Sequence, residues 1–281
     1  MIPYDATAAS LFIPYMDTNV YLKHTNKVTS GDCAELSRLV YVLFEKTPAE
    51  ETRFKNLLST HSYDLIKFFD VGSTQAMTVR HKQSQEYVVV FRGSQITWND
   101  IKTDLTILPT PWPHGGYVHK GFSDEFHSIW DAIKGACGDK LNTAFFTGHS
   151  LGAAIATLAA NEIKYRLPLG QGKPKLITFG SPAIGDTGFV ASSTGFLIER
   201  HVNCCDLVPR LPPEIIGFEH VGNKIYYDSC GLQNTDTSLQ QFQDRMTARI
   251  NFVASYALTL GAVKLRDLAD HAPINYVRLF Y

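Results

Sequence analysis

TAFFTGHSLGAAIATLAANEIKYRL, residues 143–167, opens as an apolar run from Thr143 to Thr147, turns at Gly148-His149-Ser150-Leu151-Gly152, and continues with Leu151, Ile155 and Leu158 on one helical face. The pattern reads as strand, sharp turn, helix. Gly-x-Ser-x-Gly in that setting is the signature of a serine held on a strained strand-to-helix turn with its hydroxyl exposed. Such a turn leaves no room for neighbouring side chains, which accounts for the two glycines and for the small Ala153, Ala154 and Ala156 beyond them. The following helix directs its free N–H groups and positive dipole end at the site, where they favour negative charge developing on a carbonyl oxygen. Ser150 is therefore the candidate nucleophile. The competing reading, a chance glycine-rich turn, does not account for the strand before it and the helix after it.

Upstream, YDLIKFF, QAMTV and EYVVVF are strand-like, and the last is apolar throughout, as a central strand buried on both faces would be. Earlier still, Ser30 or Asp32 is placed to cap a helix with Leu36, Leu39, Val40, Leu43 and Phe44 at helical spacing, and a second helix follows Pro48. Downstream, GFSDEFHSIWDAI is helical and KLITFG is a strand. Strands alternating with helices predict an α/β fold, with a mostly parallel central sheet and helices on both faces. No repeat or low-complexity linker interrupts the pattern, so one domain is expected over residues 1–281.

A chain of 281 residues that is 44% hydrophobic can bury a core of that size. With 26 basic and 27 acidic residues the net charge is −1, so no basic excess is present to neutralise a phosphate backbone, and nucleic acid is excluded as a partner. The longest uncharged apolar stretch, Asn251–Val263, is shorter than the ~20 residues that span a bilayer and reads as a packed helix. The opening MIPYDATAASLF lacks the basic start and apolar run of a secretory signal, which leaves both a secreted mature form and a cytoplasmic protein open. Nothing in the pattern sets the oligomeric state. Five cysteines, with no CxxC pair and two adjacent at Cys204-Cys205, signal neither a disulfide framework nor a zinc site. No cofactor and no catalytic metal are expected.

VVVFRGS (Val88–Ser94), DIKTDL (Asp100–Leu105), VHKGF (Val118–Phe122), GHSLGAA (Gly148–Ala154), FGSPAIGD (Phe179–Asp186) and DLVPRLPP (Asp206–Pro213) follow one another along the chain. This ordered set resembles the lipase class 3 family, the α/β-hydrolase group that includes the fungal triacylglycerol lipases. The likeness covers Tyr87 to His220 and a short piece near His271. It implies an α/β-hydrolase fold, a triad of Ser150, Asp206 and His271, and an oxyanion hole formed by Ser94 and the backbone N–H of Leu151. The implied activity is hydrolysis of carboxylic esters through an acyl-enzyme, first of all of triacylglycerols, with a lipid–water interface as the implied place of action. A short-chain carboxylesterase, a feruloyl-type esterase and a phospholipase would use the same triad, and a pseudoenzyme keeping the fold as a binding module is the reading outside enzymes.

Chain order favours the same assignments, because α/β-hydrolases place the acid and then the base after the nucleophile. Asp186 follows Ser150 sooner but lies in a Gly-rich turn, whereas Asp206 follows the strand-like Leu197–Val202 and precedes a proline-stiffened loop. Three histidines lie beyond Ser150. His201 precedes Asp206 and belongs in a strand; His220 is the serious rival; His271, near the C-terminus and before an aromatic residue, matches the family's base. His149 is read as a packing and hydrogen-bonding residue, and Asp104 as a residue that orients Ser94.

Two departures from the family stand out. Many relatives carry tryptophan where Ile101 stands, while here it is Trp98; residues 95–108, with Ile96, Trp98 and Ile101, form a candidate lid. Between Asp206 and His271 lies an extra segment, about 232–267, in which Leu239, Phe242, Met246, Ile250, Val253, Ala257 and Leu260 recur at three and four. A long amphipathic helix is expected there, its stripe in the core, with a second lid element or a dimer contact as the alternatives.

Overall fold

The computed structural model describes residues 2–16, 19–44, 46–93, 108–167, 172–235, 237–256 and 258–281. Eight strands form one twisted sheet in the order β1 (Tyr63–Val71), β2 (Thr74–His81), β3 (Tyr87–Phe91), β6 (Phe145–His149), β7 (Lys175–Phe179), β8 (Leu197–Asn203), β9 (Lys224–Tyr227) and β10 (Gln233–Asn234). β3 through β9 run parallel, β1–β2–β3 are an antiparallel meander, and β9–β10 close the far edge antiparallel. β4 (Pro109–Pro111) and β5 (Tyr117–His119) make a separate small ribbon. The fold is thus of the α/β-hydrolase kind expected from the sequence.

Alternation along the central strands divides the core in two. Val89, Phe91, Phe146 and Leu176 face the layer carrying α4 (Lys120–Cys137) and α5 (Leu151–Arg166). Val88, Val90, Phe145, Ile177 and Phe179 face the layer carrying α2 (Ser30–Leu39), α3 (Pro48–Thr60) and α9 (Pro273–Val277). Each fully buried Val or Phe is worth about 1.5–3 kcal/mol over its exposed state, so a polar residue at Val88 or Val90 would disrupt one layer and one at Val89 or Phe91 the other. The helix expected to begin at Ser30 or Asp32 is capped by Thr29 instead, whose hydroxyl accepts from Asp32 N–H while the Asp32 carboxylate accepts from Thr29 N–H. This reciprocal box stabilises the first turn by about 1 kcal/mol. The helix ends at Leu39, so Val40, Leu43 and Phe44 lie beyond it.

Two expectations about the C-terminal third are corrected. The extra segment does form a long helix, α7 (Ser238–Tyr256), following α6 (Thr187–Ser192) in the chain. However, its stripe is not core: Leu239, Phe242, Met246, Ile250 and Val253 are exposed, whereas Gln241, Ala248 and Phe252 are the buried positions. Amphipathicity specifies which face is apolar and not what covers it. Asn251–Val263 is not one packed helix either, because α7 stops at Tyr256 and Leu258 and Leu260 stand free in solvent. All five cysteines are free thiols, Cys230 exposed and the others buried. Among the described residues, no helix is long and apolar enough to cross a membrane.

Candidate active site

β6 delivers Ser150 at its C-terminal end, and α5 begins at the next residue. Ser150 has φ +57° and ψ −127°, a left-handed conformation that costs a non-glycine residue on the order of 1–3 kcal/mol. The surroundings enforce it. Ser150 N–H donates to Phe179 O at 3.0 Å across to β7. A Cβ on Gly148 would meet the Gly152 backbone at 2.4 Å, and one on Gly152 would meet Phe91 O at 2.2 Å, so the flanking glycines are required by close backbone approach. Leu151 is the first residue of α5, and a helix's first N–H groups have no acceptor within the helix.

His271 lies between α8 (Arg266–Ala269) and α9, and Asp206 follows β8 in the turn after Cys204-Cys205. His271 Nε2 stands 3.0 Å from Ser150 Oγ, and His271 Nδ1 stands 2.9 Å from Asp206 Oδ2. With the Nδ1 proton donated to the carboxylate, Nε2 is left as the acceptor for the serine hydroxyl, a tautomer assigned from the network. Asp206 is fully buried, and its charge is met by three donors: His271 Nδ1–H, Val208 N–H to Oδ1 at 2.9 Å, and Tyr276 O–H to Oδ2 at 2.5 Å. Burial and the facing Asp206 charge push the Tyr276 phenol far above the ordinary tyrosine range, which keeps it a donor.

The loop carrying His271 is held from several sides. His149 Nε2–H donates to His271 O at 2.8 Å, and Tyr41 O–H donates to His149 Nδ1 at 3.0 Å. Burial and the neighbouring His271 hold the His149 imidazole well below the usual histidine range, so it stays neutral. Asn203 Nδ2 donates to Asp270 O at 3.0 Å, and the Asp270 carboxylate accepts from Cys205 N–H, Tyr4 O–H and Arg266. Gly180, at φ +60°, fits against the Asp206–His271 pair, where a Cβ would lie 2.8 Å from Asp206 Oδ2. Tyr276 and Gly180 escaped the sequence reading. The aromatic position after His271 and the FGSP stretch were the available signals, but nothing in them says which carboxylate they touch.

The rivals occupy other places. Asp186 caps α6, its Oδ1 accepting from Phe189 N–H and Tyr117 N–H. His201 lies in β8 against Tyr227 and Glu199. His220 gives Nε2–H to Pro209 O at 2.7 Å. Ser94, Asp104, Ile96, Trp98 and Ile101 lie outside the described residues, and so does the candidate lid except Leu108, which is exposed. The approach to Ser94 is described: Arg92 is buried and donates to Val40 O and Val42 O, each at 2.8 Å, which anchors the end of β3 beside α2. Among the described residues, Cys204, Cys205 and Asp270 are the one group with metal-ligand spacing, and its carboxylate is already engaged by Arg266, Tyr4 and a backbone N–H.

Residues 88–216 match the family described as Lipase (class 3). The lipase of Rhizomucor miehei is 34% identical over 180 residues, 60% of this chain and 49% of that protein. A secreted mono- and diacylglycerol lipase of Malassezia globosa is 30% identical over 175 residues, 56% of this chain and 57% of that protein. A solved structure of the Rhizomucor miehei triacylglyceride lipase superposes with a TM-score of 0.55 and 32% identity, over 60% of this chain and 68% of that one. The chain spans about half the full length of the curated relatives it matches. Sequence identity extending through a shared fold, with the matched region running from β3 past Asp206, leads to one conclusion: this chain belongs to the class 3 lipase family.

Proposed function

We propose that the chain hydrolyses carboxylic ester bonds of lipids, with Ser150 as nucleophile, His271 as general base and acid, and Asp206 as the group that orients and charge-balances His271. The observation that carries this reading is the unbroken chain from Asp206 through His271 to Ser150 Oγ, at 2.9 and 3.0 Å. Ser150 Oγ attacks the ester carbonyl as its proton passes to His271 Nε2. The imidazolium formed is stabilised through Nδ1–H by the buried Asp206 carboxylate. Negative charge then builds on the former carbonyl oxygen, and the Leu151 N–H at the start of α5 is the donor aimed there, with Ser94 as its partner. Loss of one such donor typically costs ~3 kcal/mol of transition-state stabilisation. Collapse of the tetrahedral intermediate expels the alcohol, which takes the proton from Nε2. A water activated by the same nitrogen then frees the acid and restores Ser150.

Triacylglycerols are the proposed substrate class, by likeness to the Rhizomucor miehei triacylglyceride lipase, with partial glycerides as the second reading from the Malassezia relative. The defining experiment is labelling by an alkyl phosphonate, with tributyrin hydrolysis followed below and above its solubility limit. Wild type is labelled at Ser150 and hydrolyses tributyrin, while Ser150→Ala does neither. Undiminished labelling of Ser150→Ala would remove the serine-hydrolase reading, and hydrolysis of mono- and dibutyrin but not tributyrin would move the substrate to partial glycerides.

A further inference from the structure

A cavity of about 800 Å³ lies between β8, β9, the turn at Pro209–Pro212 and the start of α7, and it shares no residue with the Ser150–His271–Asp206 chain. Among the described residues, Arg200, Arg210, Lys224 and Arg245 line it against one carboxylate, Glu219. Lys224 donates to Gln241 Oε1 at 2.6 Å. The arginines differ. Among the described residues, no hydrogen bond or ion pair engages the guanidinium of Arg200, Arg210 or Arg245, and the Nε atoms of Arg200 and Arg245 are buried without an acceptor. Arg200 is only 9% exposed and sits directly opposite Lys224 in the β8–β9 register, a like-charge pairing that weakens a sheet.

A buried guanidinium without a counter-charge is costly, and natural interiors pair such groups. Burial pushes Arg200 down to about 10, and burial together with the nearby Arg245 and Arg249 pushes Arg210 below the usual arginine range. His220 shares the cavity. Its Nε2–H is given to Pro209 O, its Nδ1 is buried without a partner, and burial beside Arg200 pushes it down to about 4, so it is a neutral acceptor. Among the described residues the cavity therefore offers several unused guanidinium donors and one buried unused acceptor, His220 Nδ1.

We propose that this cavity binds a phosphate-type anion through Arg200, Arg210 and Arg245, with His220 Nδ1 accepting the hydroxyl proton of a monoprotonated phosphate. Among the described residues the three arginines against one carboxylate exceed what a monovalent carboxylate ligand would balance, and the planar guanidinium fork matches paired phosphate oxygens. The same recognition serves inorganic phosphate and the phosphate of a lipid headgroup. It is independent of the ester chemistry proposed above.

The test measures binding. Inorganic phosphate is titrated into the full chain at constant ionic strength and the melting temperature is followed. Wild type gives a saturable rise, and Arg200→Met weakens the apparent affinity at least about ten-fold. Arg245→Met, at the rim of the cavity, gives the same result if Arg200→Met does not fold. Ser150→Ala is then sedimented with phosphatidylcholine vesicles with and without phosphatidic acid. Enrichment on phosphatidic acid that disappears with Arg200→Met assigns the phosphate to a lipid headgroup, and saturation by inorganic phosphate alone assigns it to the free anion. The proposal is overturned if wild type responds to neither probe, or if both arginine variants respond as wild type does. Phosphate binding by a chain that hydrolyses no ester would defeat the proposed activity and leave this site standing.

Discussion

Replacing Gly180 by alanine tests whether the Asp206–His271 contact, and not merely the presence of both residues, drives turnover. Two costs follow from the structure. Gly180 sits at φ +60°, where a Cβ costs about 1 kcal/mol. The new Cβ would also stand 2.8 Å from Asp206 Oδ2 and 3.2 Å from His271 Nδ1 and Cε1. A comfortable heavy-atom contact is about 3.5 Å, so something must move by roughly half an ångström or more. Asp206 cannot retreat freely, because Val208 N–H and Tyr276 O–H hold its two oxygens. The movement is therefore taken up in the 2.9 Å bond to His271, and displacements of this order in a catalytic group cost about 10–10²-fold in rate. Overpacking adds about 1–3 kcal/mol to the backbone cost, which gives a total destabilisation of about 2–4 kcal/mol.

Gly72→Ala is the control, since Gly72 has φ +63° with nothing within 4 Å of its Cβ position. It carries the backbone cost without the wedge, and is expected to melt slightly lower with unchanged kcat. Hydrolysis of p-nitrophenyl butyrate and thermal melting are measured for both variants. A Gly180→Ala enzyme whose kcat stays within a factor of about two of Gly72→Ala would refute the argument, because the wedge would then exist without consequence for the base.

His271→Ala is expected to lose at least ~10³-fold in kcat while His220→Ala, if folded, loses far less, and the reverse ranking in the same ester assay would transfer the base to His220. Tyr276→Phe removes the 2.5 Å bond to Asp206 and leaves Asn203 N–H without the phenol oxygen it reaches at 3.2 Å; urea unfolding is expected to show a loss of about 2–4 kcal/mol, with full stability contradicting the assignment. His220 makes stability pH-dependent: in the unfolded chain it takes up a proton below about 6.5, in the folded one only near 4, so its contribution is complete above pH 6.5 and is lost as pH falls towards 4. At about 1.4 kcal/mol per pH unit this amounts to at most about 3.5 kcal/mol, and His220→Gln should flatten the fall between pH 7 and 4.5 in urea titrations; an unchanged slope would show that the ring is not buried neutral.

How much of this was legible depended on whether the signal was local. The Ser150 elbow was readable because its requirements are met within five residues: glycines where a Cβ would strike backbone at 2.4 and 2.2 Å, a strand before and a helix after. The apolar β3 announced a strand buried on both faces, and Val88 to Phe91 are fully buried. Pairing was not legible, since nothing in YDLIKFF or QAMTV says that these two strands pair antiparallel with each other and the second of them antiparallel with β3, while β6 pairs parallel to β3. The cap of α2 was misplaced because Thr29, Ser30 and Asp32 are all good caps, and only the reciprocal bond to Asp32 N–H selects Thr29. The stripe on α7 was misread because periodicity contains no information about coverage.

The proposed base, His271, is the group that the sequence constrains least, and the structure shows what replaces local constraint. Ser150 is fixed by a strand and a helix, and Asp206 follows directly on β8, whereas His271 sits in a connection between two short helices with no strand of its own. Its position is set instead by bonds from remote parts of the chain. His149 Nε2–H holds its carbonyl, Asn203 Nδ2 holds the carbonyl before it, and Asn275 exchanges bonds with the backbone of Asp5 while donating to Ala269 O. Tyr4 O–H reaches the Asp270 carboxylate at 2.8 Å. Each is a side chain satisfying a buried group, so losing one costs the desolvation of the group left behind as well as the bond, about 1–3 kcal/mol. His149 belongs to the elbow itself, so the turn that exposes Ser150 also tethers the backbone of the residue that would take its proton. Ser150 and His271 are thereby coupled through His149 as well as through their own 3.0 Å contact, and this is how the geometry proposed for the triad can rest on a loop that carries no regular structure.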